Sequence, residues 1–373
     1  MNLVQLRRSS SALIAAAMLA ATGTGARADE PKTWTDPATA PAEIMPLAAQ
    51  SLLLGVARSG ERYVAVGSRG QILLSGDGRT WKQVEVPTRL TFTAVTAVDG
   101  QVWAVGHEGI IVHSADGGEH WLVQHEDSPQ AQDDESADDA DTDTRQGVPL
   151  LSVWFDDAKR GFAVGAYSLA LRTDDGGEHW LPMTVAAGNT PAADDDASAT
   201  KDKGKHALTF SKNELKIGEE ATPHLNAIVR TGGGGLLIVG ERGSAFRSRD
   251  DGATWQRRQL PYDGSMFGAI AYAGDHAVAF GLRGHVYETS DLGEHWNALE
   301  TGTELSLMGG TALPEGGAVI VGANGTILVR GKAGEPLQGR VDQPAGVIAA
   351  VLALDAGTLL LAGENGLGTF PLK

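Results

Sequence analysis

The feature that most constrains this chain is a glycine-anchored unit that recurs along it. Strings such as VAVGSRGQILLSGDGRTW (64 to 81) and WAVGHEGIIVHSADGGEHW (103 to 121) align on one glycine each, and the anchoring glycines are Gly67, Gly106, Gly165, Gly240, Gly281, Gly322 and Gly363. Four of the six intervals are 39 or 41 residues, and the others, 59 and 75, contain inserts. Removing roughly 19 and 34 residues from these two leaves a period of about 40, the length of one four-stranded blade. The sequence therefore predicts an all-β fold, a seven-bladed β-propeller.

Each unit is read as four short strands with a conserved type of turn before the last. The first strand is an apolar stretch such as 92 to 98 or 225 to 230, and strands this short and apolar suit blades covered on both faces. The turn is Ser/Thr-x-Asp-x-Gly-x-x-Trp, intact at 114–121, 173–180, 248–255 and 289–296, one residue shorter at 75–81 and decayed at 330–337. Aspartate can accept backbone N–H bonds in a tight turn, glycine supplies positive φ, and tryptophan buries a large ring. We assign these residues to the scaffold: Asp77, Trp81, Asp116, Trp121, Asp175, Trp180, Asp250, Trp255, Asp291 and Trp296.

The two ends of the chain complement each other. The seventh repeat stops after three strands, whereas Lys32-Thr33-Trp34 resembles the end of a box with no third strand before it. We expect residues 31–36 to supply the outer strand of the last blade. The ring would then be closed by an N-terminal strand, which also removes exposed sheet edges.

Three segments fall outside the repeats. Residues 1–28 read as a signal peptide, with Arg7 and Arg8 before an apolar run and Ala26-Arg27-Ala28 as a cleavage site, so the propeller is expected to occupy 29–373. The insert 126–147 is acidic, and its first part, 126 to 144, holds nine carboxylates, a composition that favours disorder. The second insert, 187–222, is polar. Asp139-x-Asp141-x-Asp143 matches the opening of a calcium loop but lacks the later glycine and glutamate.

Charge and cysteine content exclude several classes of function. The formal charge is -17, and removing the three arginines of residues 1–28 makes the mature chain -20, which disfavours nucleic acid and anionic membrane surfaces as partners. There is no cysteine, so disulfides, thiol nucleophiles, thiolate metal sites and a lipid-anchoring cysteine are excluded. No apolar run reaches the about 20 residues of a membrane span. We expect a soluble monomer, periplasmic or secreted, with Sec and Tat export both open.

The repeats resemble bacterial neuraminidase (Asp-box) repeats, and the xVG-x-x-G-x-[IV] element before each box resembles the photosystem II assembly and stability factors. This resemblance implies a seven-bladed, non-enzymatic factor that acts on the lumenal side of a membrane and binds a nascent membrane protein. The partner it implies is a membrane protein or complex on the periplasmic side. That family is associated with arginine-rich recognition, whereas this chain is acidic overall, and its two long inserts are not part of the minimal repeat.

Candidate binding residues lie in the G-x-x-G loops, which should surround the channel mouth together with the connections between blades. Arg69, Arg242 and Arg283 occupy this loop in blades 1, 4 and 5 and would suit a carboxylate or phosphate on a partner. The alternative is that these arginines are only solvated turn residues. The remaining candidates at these loops are His107, Glu108, Tyr167, Glu241, Asn324 and Asn365.

The alternative function is a glycoside hydrolase or carbohydrate-binding propeller of the sialidase-like Asp-box type. It would need two carboxylates about 5–9.5 Å apart, and Glu108, Glu241 and Glu364 lie in suitable loops. The arginine-isoleucine-proline element of sialidases is absent, and Tyr167 with Glu108 is only a conjectural nucleophile pair. His120, His179 and His295 hold one box position in three blades, so they should not converge on an ion. We expect no metal, no cofactor and no catalytic residues.

Overall fold

The computed structural model describes residues 35–127, 147–185 and 222–372. Within these residues the propeller consists of seven antiparallel sheets that follow one another along the chain. Six have four strands, and each is a meander, so consecutive strands are neighbours. The predicted seven-bladed all-β fold is therefore confirmed.

The first three blades precede the second insert. Blade 1 contains β1 (Leu53–Ser59), β2 (Arg62–Gly67), β3 (Ile72–Ser75) and β4 (Lys82–Gln83). Blade 2 contains β5 (Phe92–Val98), β6 (Gln101–Gly106), β7 (Ile111–Ser114) and β8 (Leu122–His125). Blade 3 contains β9 (Leu150–Phe155), β10 (Gly161–Gly165), β11 (Ala170–Thr173) and β12 (Leu181–Pro182).

The other four blades follow the second insert. Blade 4 contains β13 (Leu225–Arg230), β14 (Leu236–Gly240), β15 (Ser244–Ser248) and β16 (Gln256–Gln259). Blade 5 contains β17 (Met266–Ala271), β18 (Ala277–Gly281), β19 (Val286–Thr289) and β20 (Asn297–Leu299). Blade 6 contains β21 (Leu307–Leu313), β22 (Gly317–Gly322), β23 (Thr326–Arg330) and β24 (Gln338–Val341), and blade 7 contains β25 (Ile348–Asp355), β26 (Thr358–Gly363) and β27 (Gly366–Pro371).

The hydrophobic core is divided among the gaps between blades. Seven clusters of buried side chains each join one blade to the next, and the second strand of every blade is almost wholly buried. This arrangement explains why the VAVG-type strands are apolar on both faces rather than alternating. Burying each such Val or Ile stabilises the fold by about 1.5–3 kcal/mol.

The ring closes where blade 7 packs against blade 1. Strand β1 contacts β25 and β26, and Leu53, Ala65 and Leu73 share a cluster with Ala362. The seam that we expect at residues 31–36 lies mostly outside the described residues, as does Trp34. Thr35 and Asp36 are in no strand, and the next residue, Pro37, accepts a bond from Arg89 N–H in the connection between blades 1 and 2. The closing N-terminal strand therefore stays a prediction for residues 31–34.

Other predictions about the ends and the inserts also concern residues outside the described ones. They are the signal peptide 1–28, nearly all of both inserts and the aspartates of the calcium-like motif. Within the described part of the chain, no helix combines the length and apolar character needed to cross a membrane.

Candidate functional site

The G-x-x-G loops form tight turns between the second and third strands. In six of the seven, the second central residue is in the left-handed region, with φ of 50° to 56°, and the next residue also has positive φ. These central residues are Arg69, Glu108, Tyr167, Arg242, Arg283 and Asn324. Because antiparallel strands alternate in direction, these turns share one edge of the blades with the connections between blades. We call this edge the turn face.

Six of the seven loops have glycine at both ends, and blade 3 has Ser168 at the second position; these glycines lie close to neighbouring backbone, except Gly109, which lies against the Asp127 side chain. A β-carbon on Gly106 would overlap the carbonyl oxygen of Thr91, and one on Gly70 would overlap that of Thr88. The equivalent glycines in other blades meet the connecting segments in the same way, for example Gly284 at Thr303 and Gly325 at Asp342. The glycines therefore fix the backbone of the turn and leave the two central side chains free to differ between blades.

The three arginines are exposed on this face, as the sequence predicts. Among the described residues, Arg69 and Arg283 make no hydrogen bond or ion pair, and the carbonyl of Arg242 accepts a bond from Gln259 Nε2 at 2.6 Å. A guanidinium held outward by a fixed turn keeps its donors available for a carboxylate or phosphate. The arrangement can bind an anionic group without first breaking a contact of Arg69 or Arg283.

The remaining candidates are split between engaged and exposed side chains. Glu241 Oε2 accepts a bond from the His224 backbone N–H at 3.1 Å, and the exposed Tyr167 ring lies edge-on to the His224 ring, with centroids 4.8 Å apart. Asn365 Nδ2 donates to the Pro344 carbonyl at 2.9 Å. His107, Glu108 and Asn324 are exposed, and their side chains have no hydrogen bond among the described residues.

The carboxylates considered for glycoside hydrolysis belong to three separate blades. Glu108 is in blade 2, Glu241 in blade 4 and Glu364 in blade 7, where its Oε2 accepts a bond from Val347 N–H at 3.2 Å. Each is placed by the turn of its own blade, and Asp127 lies at the Glu108 turn, where its N–H donates to Glu108 O at 3.0 Å. The conjectured pair of Tyr167 and Glu108 also comes from neighbouring blades, and the ring contact of Tyr167 is with His224.

The central channel contains residues that the sequence did not single out. Every inner strand has one extra residue directly after its first pair with the second strand, a β-bulge at the same position in all seven blades. The extra residues are Leu54, Thr93, Leu151, Asn226, Phe267, Met308 and Ala349. All but Ala349 line a cavity of about 250 Å³ in which no charged side chain takes part among the described residues. A bulge has no residue signature of its own, so only the constant distance from the start of each first strand could have indicated it.

The Asp-boxes lie at the opposite edge and act as predicted. Ser114 Oγ bonds Asp116 Oδ1 at 2.8 Å, and Asp116 Oδ1 in turn accepts the backbone N–H groups of Glu119 and His120 at 3.0 Å each. Backbone bonds from Thr80 and Arg79 hold the pKa of Asp77 well below its usual range, and the His179 backbone and ring do the same for the pKa of Asp175. The boxes are therefore scaffold, with their hydrogen-bonding capacity used within the turn.

The box tryptophans and histidines also have local partners. The rings of Trp121, Trp180 and Trp255 are buried, while Trp81 and Trp296 are half-buried. His120, His179 and His295 each bond the carboxylate of their own box, at 2.7 to 2.8 Å. Asp175, Glu178 and His179 bring ligand atoms within 4.8 Å of one another, but this exposed group lies within one box turn, and its histidine is already paired.

The fold and its repeats define the chain as a seven-bladed Asp-box propeller with a variable turn face. Its residues 207–366 match the family described as photosynthesis system II assembly factor YCF48. The search of curated proteins found no match.

Solved structures extend the similarity across the propeller. A structure described as YCF48 bound to D1 peptide is 14% identical, covers 92% of this chain and 99% of its own, and has a TM-score of 0.61. YCF48 from Cyanidioschyzon merolae is 13% identical, with 89% and 98% covered and a TM-score of 0.59. The WD40 propeller domain of Doa1 is 13% identical, with 90% and 96% covered and a TM-score of 0.60. The resemblance to the photosystem II assembly factors is confirmed over residues 207–366, and the solved structures show that the chain shares the propeller fold.

Proposed function

We propose that this protein is an exported, non-enzymatic propeller that binds a membrane protein or complex through its turn face. The observation that carries the proposal is the placement of Arg69, Arg242 and Arg283, exposed at equivalent turns whose backbone is fixed by glycine. Rigid loops that carry exposed, variable side chains are where propellers and other scaffolds commonly place recognition. The arginines would bind an acidic segment of the partner.

The comparisons support a binding role of this kind. The family match is to an assembly factor, and one similar structure is of YCF48 with a D1 peptide. A peptide-binding role is compatible with the absence of charged side chains from the described channel lining, since glycosidases require paired carboxylates in a cleft. The signal-like segment 1–28 supports export, and the acidic surface elsewhere would limit contacts to the basic turns.

The direct test is a pull-down from detergent-solubilised membranes of the source organism, using immobilised mature protein. We expect the Arg69→Glu, Arg242→Glu and Arg283→Glu triple variant to lose the recovered partner, because it reverses the three arginines of the G-x-x-G turns. A matched control with the same change in charge is Arg79→Glu, Lys82→Glu and Lys159→Glu, which alters exposed residues at the box edge or in an outer strand. Equal recovery by both triple variants would overturn the arginine assignment.

The non-enzymatic part of the proposal has its own test. The mature protein is incubated with a panel of fluorogenic glycosides beside the Glu108→Ala, Glu241→Ala and Glu364→Ala triple variant. We expect no turnover by either. Turnover by the native protein that disappears in the variant would establish the glycosidase alternative instead.

A further inference from the structure

The bulged residues of the channel are not evenly distributed around the ring. Four adjacent blades, 5, 6, 7 and 1, contribute apolar ones: Phe267, Met308, Ala349 and Leu54. The polar members belong to blades 2 and 4, and both are engaged with the protein itself. Thr93 Oγ1 donates to Leu150 O at 2.6 Å, and Asn226 Nδ2 donates to Met266 O at 2.9 Å. One side of the channel mouth is therefore an apolar arc.

The size and lining of the cavity restrict what could occupy it. Its volume of about 250 Å³ is below the range of roughly 300–1,000 Å³ typical of pockets for drug-sized ligands. No charged side chain of the described residues lines it, so an ion would find no charged partner there. An apolar side chain of a larger partner satisfies both restrictions.

The two ends of the apolar arc carry arginines. The turn Leu282–Gly284, with Arg283 at its centre, contacts β21, the strand of Met308. At the other end, the exposed Leu52 lies below the turn of Arg69, since Ser68 N–H donates to Leu52 O at 3.0 Å. Glu364, inside the arc, is engaged by Val347 N–H, while the exposed Glu300 and Glu304 line a surface pocket together with Arg283. The arc therefore combines apolar bulged side chains with two arginines that make no ion pair among the described residues, which favours a partner that carries both an apolar and an acidic group.

We propose that the channel mouth takes one apolar side chain of an extended acidic peptide, with a carboxylate of the same peptide on Arg283. This inference rests on the proposed function and adds to it the second determinant of the partner, an apolar anchor at a fixed spacing from an acid. Apolar anchors in a desolvated pocket commonly dominate the affinity of an interface, whereas charged pairs at the rim contribute less. Leu54 and Met308 would set the preference for the anchor, and Arg283 would set its orientation.

The test uses an array of nine-residue peptides of glycine and serine with one aspartate and one leucine at every spacing. Matched peptides replace the leucine with serine or the aspartate with asparagine. The best pairs are then measured by fluorescence anisotropy with the mature protein. We expect leucine-and-aspartate peptides at the preferred spacing to bind at least about tenfold more tightly than their serine counterparts.

Variants separate this inference from the proposed function. The double variant Leu54→Gln with Met308→Gln should lose the preference for leucine but still bind aspartate peptides weakly. Met308→Leu, in which Leu54 is unchanged, should keep the preference for leucine. Leu122→Gln, at an outer strand where the side chain is 72% exposed, is the matched control and should change nothing. Thermal unfolding checks that each variant is folded.

The outcomes are distinct. Equal binding of serine and leucine peptides, or a leucine preference that survives the double glutamine variant, overturns the apolar anchor. The proposed function would still stand if Arg283→Glu removed the binding of aspartate peptides. Aspartate peptides that bind Arg283→Glu normally would instead overturn the role of Arg283. Failure of every peptide to bind at 1 mM would overturn the peptide inference.

Discussion

Each blade carries two repeated turns, and they are stabilised in opposite ways. The box turn closes on its own side chains: Ser114 and Asp116 bond each other and the backbone N–H groups around them. The G-x-x-G turn of the same blade has no such bonds from its own central side chains, and it is fixed because neighbouring backbone lies against Gly106 and the Asp127 side chain lies against Gly109. The comparison teaches that a repeated side chain marks scaffold here, whereas a repeated backbone with changing side chains marks the surface available for binding.

Blade 6 shows what happens when a box is lost. Arg330 stands where the other boxes have Ser or Thr, and its side chain is only 2% exposed. Its Nη1 pairs with Glu288 Oε1 of blade 5 at 2.9 Å, and its Nη2 donates to Gly316 O at 3.1 Å. A bond between blades has therefore replaced the bonds within a turn.

The largest loss of stability is expected from breaking the pair of Arg330 and Glu288. Glu288→Ala leaves the Arg330 guanidinium buried without its carboxylate, which should lower the free energy of unfolding by about 3–5 kcal/mol. Replacing both partners, as Glu288→Leu with Arg330→Met, should lower the free energy of unfolding by less than Glu288→Ala does. Urea unfolding measures all variants, with Glu335→Ala as a control that removes only the exposed pair with Lys332. A double variant as unstable as Glu288→Ala would contradict this account.

The support of the turn face is tested at Gly106. Gly106→Ala places a β-carbon against Thr91 O and Phe92 Cα, so we expect a loss of about 2–3 kcal/mol from forced backbone movement. Gly76→Ala is the matched control, because a β-carbon there meets nothing within 4 Å. Both are compared by thermal unfolding. Similar midpoints for the two alanine variants would show that the turn does not depend on close approach.

A smaller effect is expected from an intact box. Ser114→Ala removes the acceptor of Gly118 N–H, a bond of 2.8 Å in a buried position, and should cost about 1–2 kcal/mol. The measurement is again urea unfolding, with Ser114→Thr as the conservative variant, since threonine holds the equivalent place in blades 3 and 5. Instability of Ser114→Thr equal to that of the alanine variant would point to packing rather than hydrogen bonding.

The smallest expected effect is on stability at acid pH. Backbone hydrogen bonds lower the folded-state pKa of Asp77 and Asp175 below the unfolded value of about 3.9. The stability they contribute is therefore present above about pH 4 and lost as pH falls through the folded-state pKa. We expect Asp77→Asn with Asp175→Asn to flatten the fall in melting temperature below pH 4, whereas Asp263→Asn, outside the boxes, should leave the slope near that of the native protein. An unchanged slope in the double variant would contradict the assignment.

Much of the scaffold can be predicted from the sequence because its determinants are local. The strand 92–98, the positive φ of Gly118 and the backbone bonds of Asp116 all follow from residues within one repeat. The pair of Arg330 and Glu288 could not be predicted, since it joins residues far apart in sequence. The decayed box and the unusual arginine were visible, but its partner was not.

The candidate site was predictable in position and only partly in chemistry. The loop position of Arg69 and Arg283 follows from the repeat. The contacts of Glu241 and Tyr167 with His224 do not, because they depend on how the connection between two blades passes over the turn. The apolar arc was missed because Leu54 and Met308 read as ordinary members of inner strands. Their place in the channel follows from a bulge, which the sequence does not mark.

The packing of β1 against β25 and β26 has a consequence for the order in which the molecule forms. Leu53 and Ala362 meet although they lie near opposite ends of the chain, so their contact must wait for a large loop to close. Blades 2 to 6 can assemble through contacts between neighbours before that event, and closing the ring is the step of highest contact order. Until the ring closes, the inner strands of blades 1 and 7 do not bury each other. The partly formed structure is then most open to aggregation or to binding by a chaperone.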